Sequence, residues 1–318
     1  MLLARHDSPV LGLSFIGETL DMPKRASSSP YPEQTAHKTI AIPTSTLMAG
    51  KTGLIMGAAN EKSLAWAIAL GVERSGGNCI MSFANPAVEK RLKRLVGQRN
   101  WPMIPCDVGD DTSIDEAFEA LAAHLQGRPL DFLVHAISYS DKEELRGAFL
   151  DTTRSNFRKT LDISCYSLVA VAQRAATLMT DGGAILTLTY LGSERVIPNY
   201  NVMGVAKAAL EASVRYLASD LGARGVSVNA LSAGPIRTLA SSGIDDIRSI
   251  VSWTEHNSML RRQTTLEDVA GAAIALIGPL GRGVTGELVH VDGGYHATGM
   301  VNLDRIGESA ALLAALHD

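Results

Sequence analysis

The sequence predicts an α/β protein, a single doubly wound domain on a seven-stranded parallel sheet. Three observations carry this. Short apolar runs alternate with helical patterns of ten or more residues, as in repeated βαβ units. Several runs are apolar throughout, as strands covered on both faces must be. The first run also leads directly into a turn of small residues at the start of a helical pattern.

The elements follow in chain order. Residues 1–47 read as a disordered leader: the first 46 hold five of the twelve prolines, eleven Ser or Thr, and four bases against four acids. The apolar piece 10–16 is broken by Gly12 and Ser14 and lacks a cleavage pattern, which argues against a secretory signal. Met48, just before the first strand, offers a second translation start. The fold is assigned to 48–300, with a C-terminal tail at 301–318. Strands are predicted at 53–56, 79–83, 103–105, 132–135, 184–189, 227–231 and 287–291. Helices are predicted at 63–75, 87–98, 113–125, 153–179, 203–221 and 266–277. For the third of these, Asp111, Thr112 and Ser113 offer N-cap oxygens, and Asp115 and Glu116 complement the positive helix end. No internal repeat and no linker interrupts 48–300.

Composition excludes several classes. With 46% apolar and 19% charged residues, the chain as a whole is globular. A net charge of -4 without a basic block makes nucleic acid an improbable partner. Cys79, Cys106 and Cys165 lie too far apart for a metal knuckle and are odd in number, so they read as reduced thiols of a cytoplasmic protein, and no metal is expected. No apolar run approaches the roughly 18 residues that cross a bilayer, so no membrane association is expected.

The turn after the first strand reads Gly57-Ala58-Ala59-Asn60-Glu61-Lys62-Ser63-Leu64. Small residues there admit close approach of phosphate oxygens to backbone N–H groups at a helix N-terminus, and Ser63 can add a hydroxyl; this makes the domain Rossmann-like. Only the first glycine of the GxGxxG fingerprint is present, so an ordinary βα loop is the competing reading. Strand two ends Ser82-Phe83-Ala84-Asn85, without the acid that would hold a ribose 2'-hydroxyl. The bases Lys90, Arg91, Lys93 and Arg94 follow, either as a solvated helix face or as partners for a 2'-phosphate. Asp107, after strand three, can accept a hydrogen bond from an adenine amino group or cap the next helix.

Strand five ends at Tyr190, and Tyr200 and Lys207 follow. If Tyr200 opens a helix, Lys207 returns to nearly the same azimuth two turns on, about 10 Å along the axis. Both heads can then serve one pocket.

These residues carry a resemblance. Tyr190, Tyr200 and Lys207, with Pro198-Asn199-Tyr200-Asn201-Val202-Met203-Gly204 between them, resemble the bacterial enoyl-acyl-carrier-protein reductases, a divergent branch of the short-chain dehydrogenases. Asp162-Ile163-Ser164, the segment Ser232-Ala233-Gly234-Pro235-Ile236-Arg237-Thr238-Leu239-Ala240, and His290-Val291-Asp292-Gly293-Gly294 extend the likeness over about 48–300. The resemblance implies hydride transfer from NADH to the β-carbon of a trans-2-enoyl thioester in fatty-acid biosynthesis, with acyl carrier protein bringing the substrate and a homotetramer as the assembly. NADPH stays open as the reductant.

By the same resemblance Tyr200 stabilises the enolate, Lys207 binds the nicotinamide ribose, and Tyr190 flanks the acyl chain. Gly57, Ser63, Leu64, Asp107, Val108, Ile137, Pro235, Ile236 and Thr238 bind the cofactor. Met203, Leu239 and Ile247 wall the substrate slot, with 239–250 as a lid; Ser140 is assigned no role. Two positions depart from the family pattern, Ala84 in place of a common Gln and Ser138 in place of a Gly, so the adenosine and nicotinamide edges of the site are expected to be altered. A short-chain carbonyl reductase acting on β-ketoacyl groups is the alternative.

The stretch from Val202 to Leu210 is apolar or small around most of its circumference, more than one sheet face can cover. A second surface is therefore expected to bury it, which supplies the residue-level argument for an oligomer.

Overall fold

A computed structural model describes residues 42–238 and 247–314 of the chain. Seven strands form one sheet: β1 (Thr52–Met56), β2 (Asn78–Phe83), β3 (Met103–Pro105), β4 (Phe132–His135), β5 (Gly183–Thr189), β6 (Val226–Ala233) and β7 (Leu288–Val291). Their order is β3-β2-β1-β4-β5-β6-β7, and every neighbouring pair is parallel. All seven predicted strands are present, β3 and β4 with the predicted bounds and the other five with one or both ends shifted by one or two residues.

The order reverses between β1 and β4, where Gly53 lies between Cys79 of β2 and Phe132 of β4. Connections leave on opposite faces there, so a crevice opens beyond the strand C-termini. Alternate residues of β1 feed two separate cores: Leu54 and Met56 enter one, Ile55 the other. That is the period-two consequence of burial on both faces.

The helices are α1 (Leu64–Arg74), α2 (Pro86–Val96), α3 (Asp111–Leu125), α4 (Arg154–Leu161), α5 (Ser167–Leu178), α6 (Asn201–Gly222), α7 (Ile247–Asn257), α8 (Leu266–Ile277) and α9 (Ile306–Ala314). Local chemistry sets several starts. Asn85 caps α2 through Ala87 and Val88 N–H with proline at its first position, and a Thr265/Asp268 capping box opens α8. The cap of α3 is Asp110, one residue before the predicted set, leaving Ser113 free to accept from Asp107 N–H at 2.9 Å.

Three features differ from the sequence reading. The single helix predicted over 153–179 is two, α4 and α5, joined by a π-turn (Asp162–Tyr166) where the Ser167 hydroxyl takes the Ile163 carbonyl at 2.6 Å. Helices α7 and α9 were not predicted: α7 takes in 247–250 of the expected lid, whose residues 239–246 lie outside the described residues, and α9 lies in the tail. And the packed chain begins before Met48: Ile42 is buried with Ala67 and Ala270, and Arg74 donates to the Ile42 carbonyl at 2.7 Å. The remainder of the predicted leader, 1–41, lies outside the described residues. No helix among the described residues is long and apolar enough to cross a membrane.

Candidate active site

Beyond the C-terminal ends of the strands lies a cavity of about 860 Å³. At its first end, Gly57 follows β1 with φ +94°, and a Cβ there would sit 2.0 Å from the Ala136 carbonyl oxygen. Glycine is required on both counts. The Ser63 hydroxyl accepts from Ala59 and Asn60 N–H, each at 3.0 Å, so it shapes the turn from within instead of reaching outward as the sequence suggested. Leu64 and Ala65, in the first turn of α1, line the cavity, and that turn carries no acid to compete for an anion.

Further along, Ser82, Phe83, Ala84 and Asn85 form a wall with Asp107 and Val108. Asp107 is exposed and caps no helix; its Oδ1 accepts from Gly109 N–H at 3.0 Å. Of the four bases on α2, Arg91 reaches the cavity, whereas Lys93 pairs with Glu89 at 2.6 Å on the solvated face.

The other end holds the chemistry. Tyr200 stands at the N-cap of α6 and Lys207 two turns on, 7% and 6% exposed, and both line the cavity. Lys207 Nζ donates to the Leu188 carbonyl at 2.8 Å, which ties it to the end of β5. The Tyr190 and Tyr200 rings meet edge to face, 5.0 Å between centroids at 75°. Gly192 must be small for Tyr200 to sit there, since a Cβ would lie 2.2 Å from its ring. Leu145, Ile197, Val202 and Met203 pack around the two rings as a separate apolar cluster.

Burial sets the protonation states. Removal from water raises both tyrosines, Tyr200 further through the nearby Tyr190 and Glu211, so both are neutral phenols. Burial lowers Lys207 to about 8, against the opposing influence of Cys165 and Glu211. His135, fully buried on β4 between the Thr187 and Ser167 hydroxyls, is lowered to about 3, first by burial and then by the Lys207 charge.

A family model for enoyl-(acyl carrier protein) reductase matches residues 57–296. The chain belongs to that family. It is 54% identical over 261 residues to enoyl-[acyl-carrier-protein] reductase [NADH] 2 of Rhizobium meliloti, covering 82% of this chain and 97% of that protein. Against the FabI reductase of Bacillus subtilis the identity is 46% over 252 residues, 78% and 97% of the two chains. The crystal structure of the Anaplasma phagocytophilum reductase in complex with NAD superposes with a TM-score of 0.79 at 52% identity, covering 83% of this chain and all of that one. The Bacillus cereus reductase, solved with NADP+ and an indole naphthyridinone, gives 0.78 at 45% identity, covering 81% of this chain and 100% of that one.

All the family positions predicted from the sequence that are described line the one cavity, including Ile137, Pro235, Ile236, Thr238 and Ile247. Leu239 lies outside the described residues. Ala84 and Ser138, the two departures from the family pattern, line it as well, and so does Ser140, which was assigned no role and whose hydroxyl is bonded with Asn156 and Thr160. The π-turn adds Ile163 to the wall. Sequence reasoning missed Glu211, a carboxylate 7% exposed on α6 behind the tyrosines. Its signal was faint: an acid one helical turn after a candidate lysine, in a helix read as apolar. No group of three or more metal-capable side chains gathers among the described residues.

Proposed function

We infer that the chain reduces the trans-2 double bond of enoyl-acyl-carrier-protein thioesters with NADH, in fatty-acid biosynthesis. The observation that carries this is the buried Tyr200–Lys207 pair facing the same cavity as the Gly57 turn. The residues present suit a dinucleotide: a glycine whose place no Cβ could take, a helix N-terminus without acids, and a lysine at the far end.

When bound, NADH supplies the hydride that adds to the β-carbon of the substrate. Gly57 and Leu64 would hold the phosphates, with Ser63 fixing the turn between them, Asp107 and Val108 would hold the adenine, Ile137 the nicotinamide, and Pro235, Ile236 and Thr238 the carboxamide and pyrophosphate end, with Lys207 on the nicotinamide ribose. Tyr200 donates a hydrogen bond from a neutral phenol to the thioester oxygen, where negative charge gathers. Its ring is held before reaction between Tyr190 and Gly192, so little reorganisation is needed. The Lys207 cation lowers the cost of that charge in a site sheltered from water. Tyr190, held edge-on to Tyr200, shapes the acyl slot with Met203 and Ile247.

A homotetramer is the proposed assembly and the cytoplasm the proposed location. Val205, Tyr216, Tyr166 and Phe157 support a second copy, being large apolar side chains left exposed on α4, the π-turn and α6. The argument from Val202 to Leu210 does not: Val202, Met203, Ala206 and Leu210 are buried within this chain.

The deciding experiment offers crotonyl and acetoacetyl thioesters with NADH and NADPH. Oxidation of NADH with the crotonyl thioester alone is expected; turnover of the acetoacetyl thioester alone replaces this reading with carbonyl reduction.

A further inference from the structure

We propose that Glu211 is the positioning residue of this site: through one carboxyl oxygen it clamps the segment 189–193, which carries Tyr190 and walls Tyr200, to the helix that bears Lys207. The inference rests on the functional reading above only in taking Tyr200 as the group that meets substrate.

Glu211 sits on α6 one turn after Lys207 and does not line the cavity, so whatever it does passes through other groups. Its Oε1 accepts from the Thr189 hydroxyl and from the Ser193 hydroxyl, both at 2.5 Å. These two residues bracket Tyr190, and Gly192 beside Ser193 forms the wall of the Tyr200 ring. One carboxylate oxygen thus fixes the end of β5 and the turn after it to the helix that bears Tyr200 and Lys207.

The carboxyl is buried, and no ion pair engages Glu211 among the described residues, so the Thr189 and Ser193 hydroxyls are what hold it. The Ser193 hydroxyl also lies 2.9 Å from the Tyr190 carbonyl, so the clamp closes on both sides of Tyr190. A buried carboxyl oxygen stripped of these partners would go unsatisfied, which ties the three groups to one arrangement.

The test is Thr189→Val, which removes one anchor of the clamp and leaves Glu211, Tyr200 and Lys207 in place. Its kcat on a crotonyl thioester should fall severalfold, with NADH affinity, read by fluorescence, within about twofold of wild type; an unchanged kcat overturns the clamp. Thr189→Ser restores the hydroxyl and should recover kcat; a Thr189→Ser variant as slow as Thr189→Val overturns it as well. The near-ultraviolet circular dichroism of the Tyr190–Tyr200 pair, read without turnover, should change in Thr189→Val and return in Thr189→Ser. A chain that shows this spectral pattern and reduces no enoyl thioester defeats the functional reading while leaving this one standing, and a spectrum unmoved in Thr189→Val overturns the clamp.

Discussion

Tyr200 and Lys207 share a helix face but carry separable tasks, and substitution should split them. Tyr200→Phe removes one hydrogen-bond donor from the charge that develops on the substrate; kcat should fall on the order of a hundredfold, with NADH affinity unchanged. Lys207→Ala should do the reverse first, weakening NADH binding before turnover is considered. Titration of both by fluorescence, beside steady-state kinetics on a crotonyl thioester, checks the split; equal kcat for wild type and Tyr200→Phe removes the phenol from the mechanism. The lysine also marks the pH dependence of stability. Its pKa of about 8 in the fold lies below its ordinary 10.5, so between those values the unfolded chain binds more protons and stability rises with pH. The contribution is about 1 kcal/mol per pH unit. Denaturant midpoints from pH 8 to 10 should therefore climb in the wild type more steeply than in Lys207→Met, which lacks the titrating group.

At the scale of elements, the start of the fold is the testable point. Ile42 packs against α1 and α8, Ser45 N–H donates to the Arg74 carbonyl at 3.0 Å, and Arg74 returns a bond to the Ile42 carbonyl. A chain beginning at Met48 loses these. It should be less stable than one beginning at residue 42 by about 2 kcal/mol, or about 5 °C in Tm, by differential scanning calorimetry. Matching melting curves would mean that the segment contributes nothing.

The same scale shows what a single sequence makes legible. Strands buried on both faces announce themselves as apolar runs, and 132–135 or 184–189 could hardly be read otherwise. The Tyr200–Lys207 spacing is helical arithmetic. The π-turn is different, because its cause is a hydroxyl of Ser167 competing for a carbonyl four residues back, and serine does that in many helices that stay regular. Helix α7 was not predicted, because its polar residues hide the apolar stripe, of which Val251 is buried. Glu211 escaped because its meaning depends on Thr189 and Ser193, which only the folded chain brings to it.

For the whole molecule, the exposed aromatic residues of α4, the π-turn and α6 give an expected outcome in solution. Sedimentation at micromolar concentration should find a tetramer, and Tyr216→Glu, on a side chain 77% exposed, should shift it toward smaller species with the fold intact. A monomer across that range would leave this face open to water.

The strand order also bears on how the chain is made. β1 needs β2 on one edge and β4 on the other, and Gly53 finds Phe132 only after β2 and β3 have been synthesised. Until then a ribosome-bound nascent chain carries β1 with one bare edge of unpaired N–H and C=O groups, the kind of edge that recruits foreign strands. Residues 132–135 close that edge and pass the bare edge to β4, so holdase chaperones should be needed until 183–189 have emerged and paired with it.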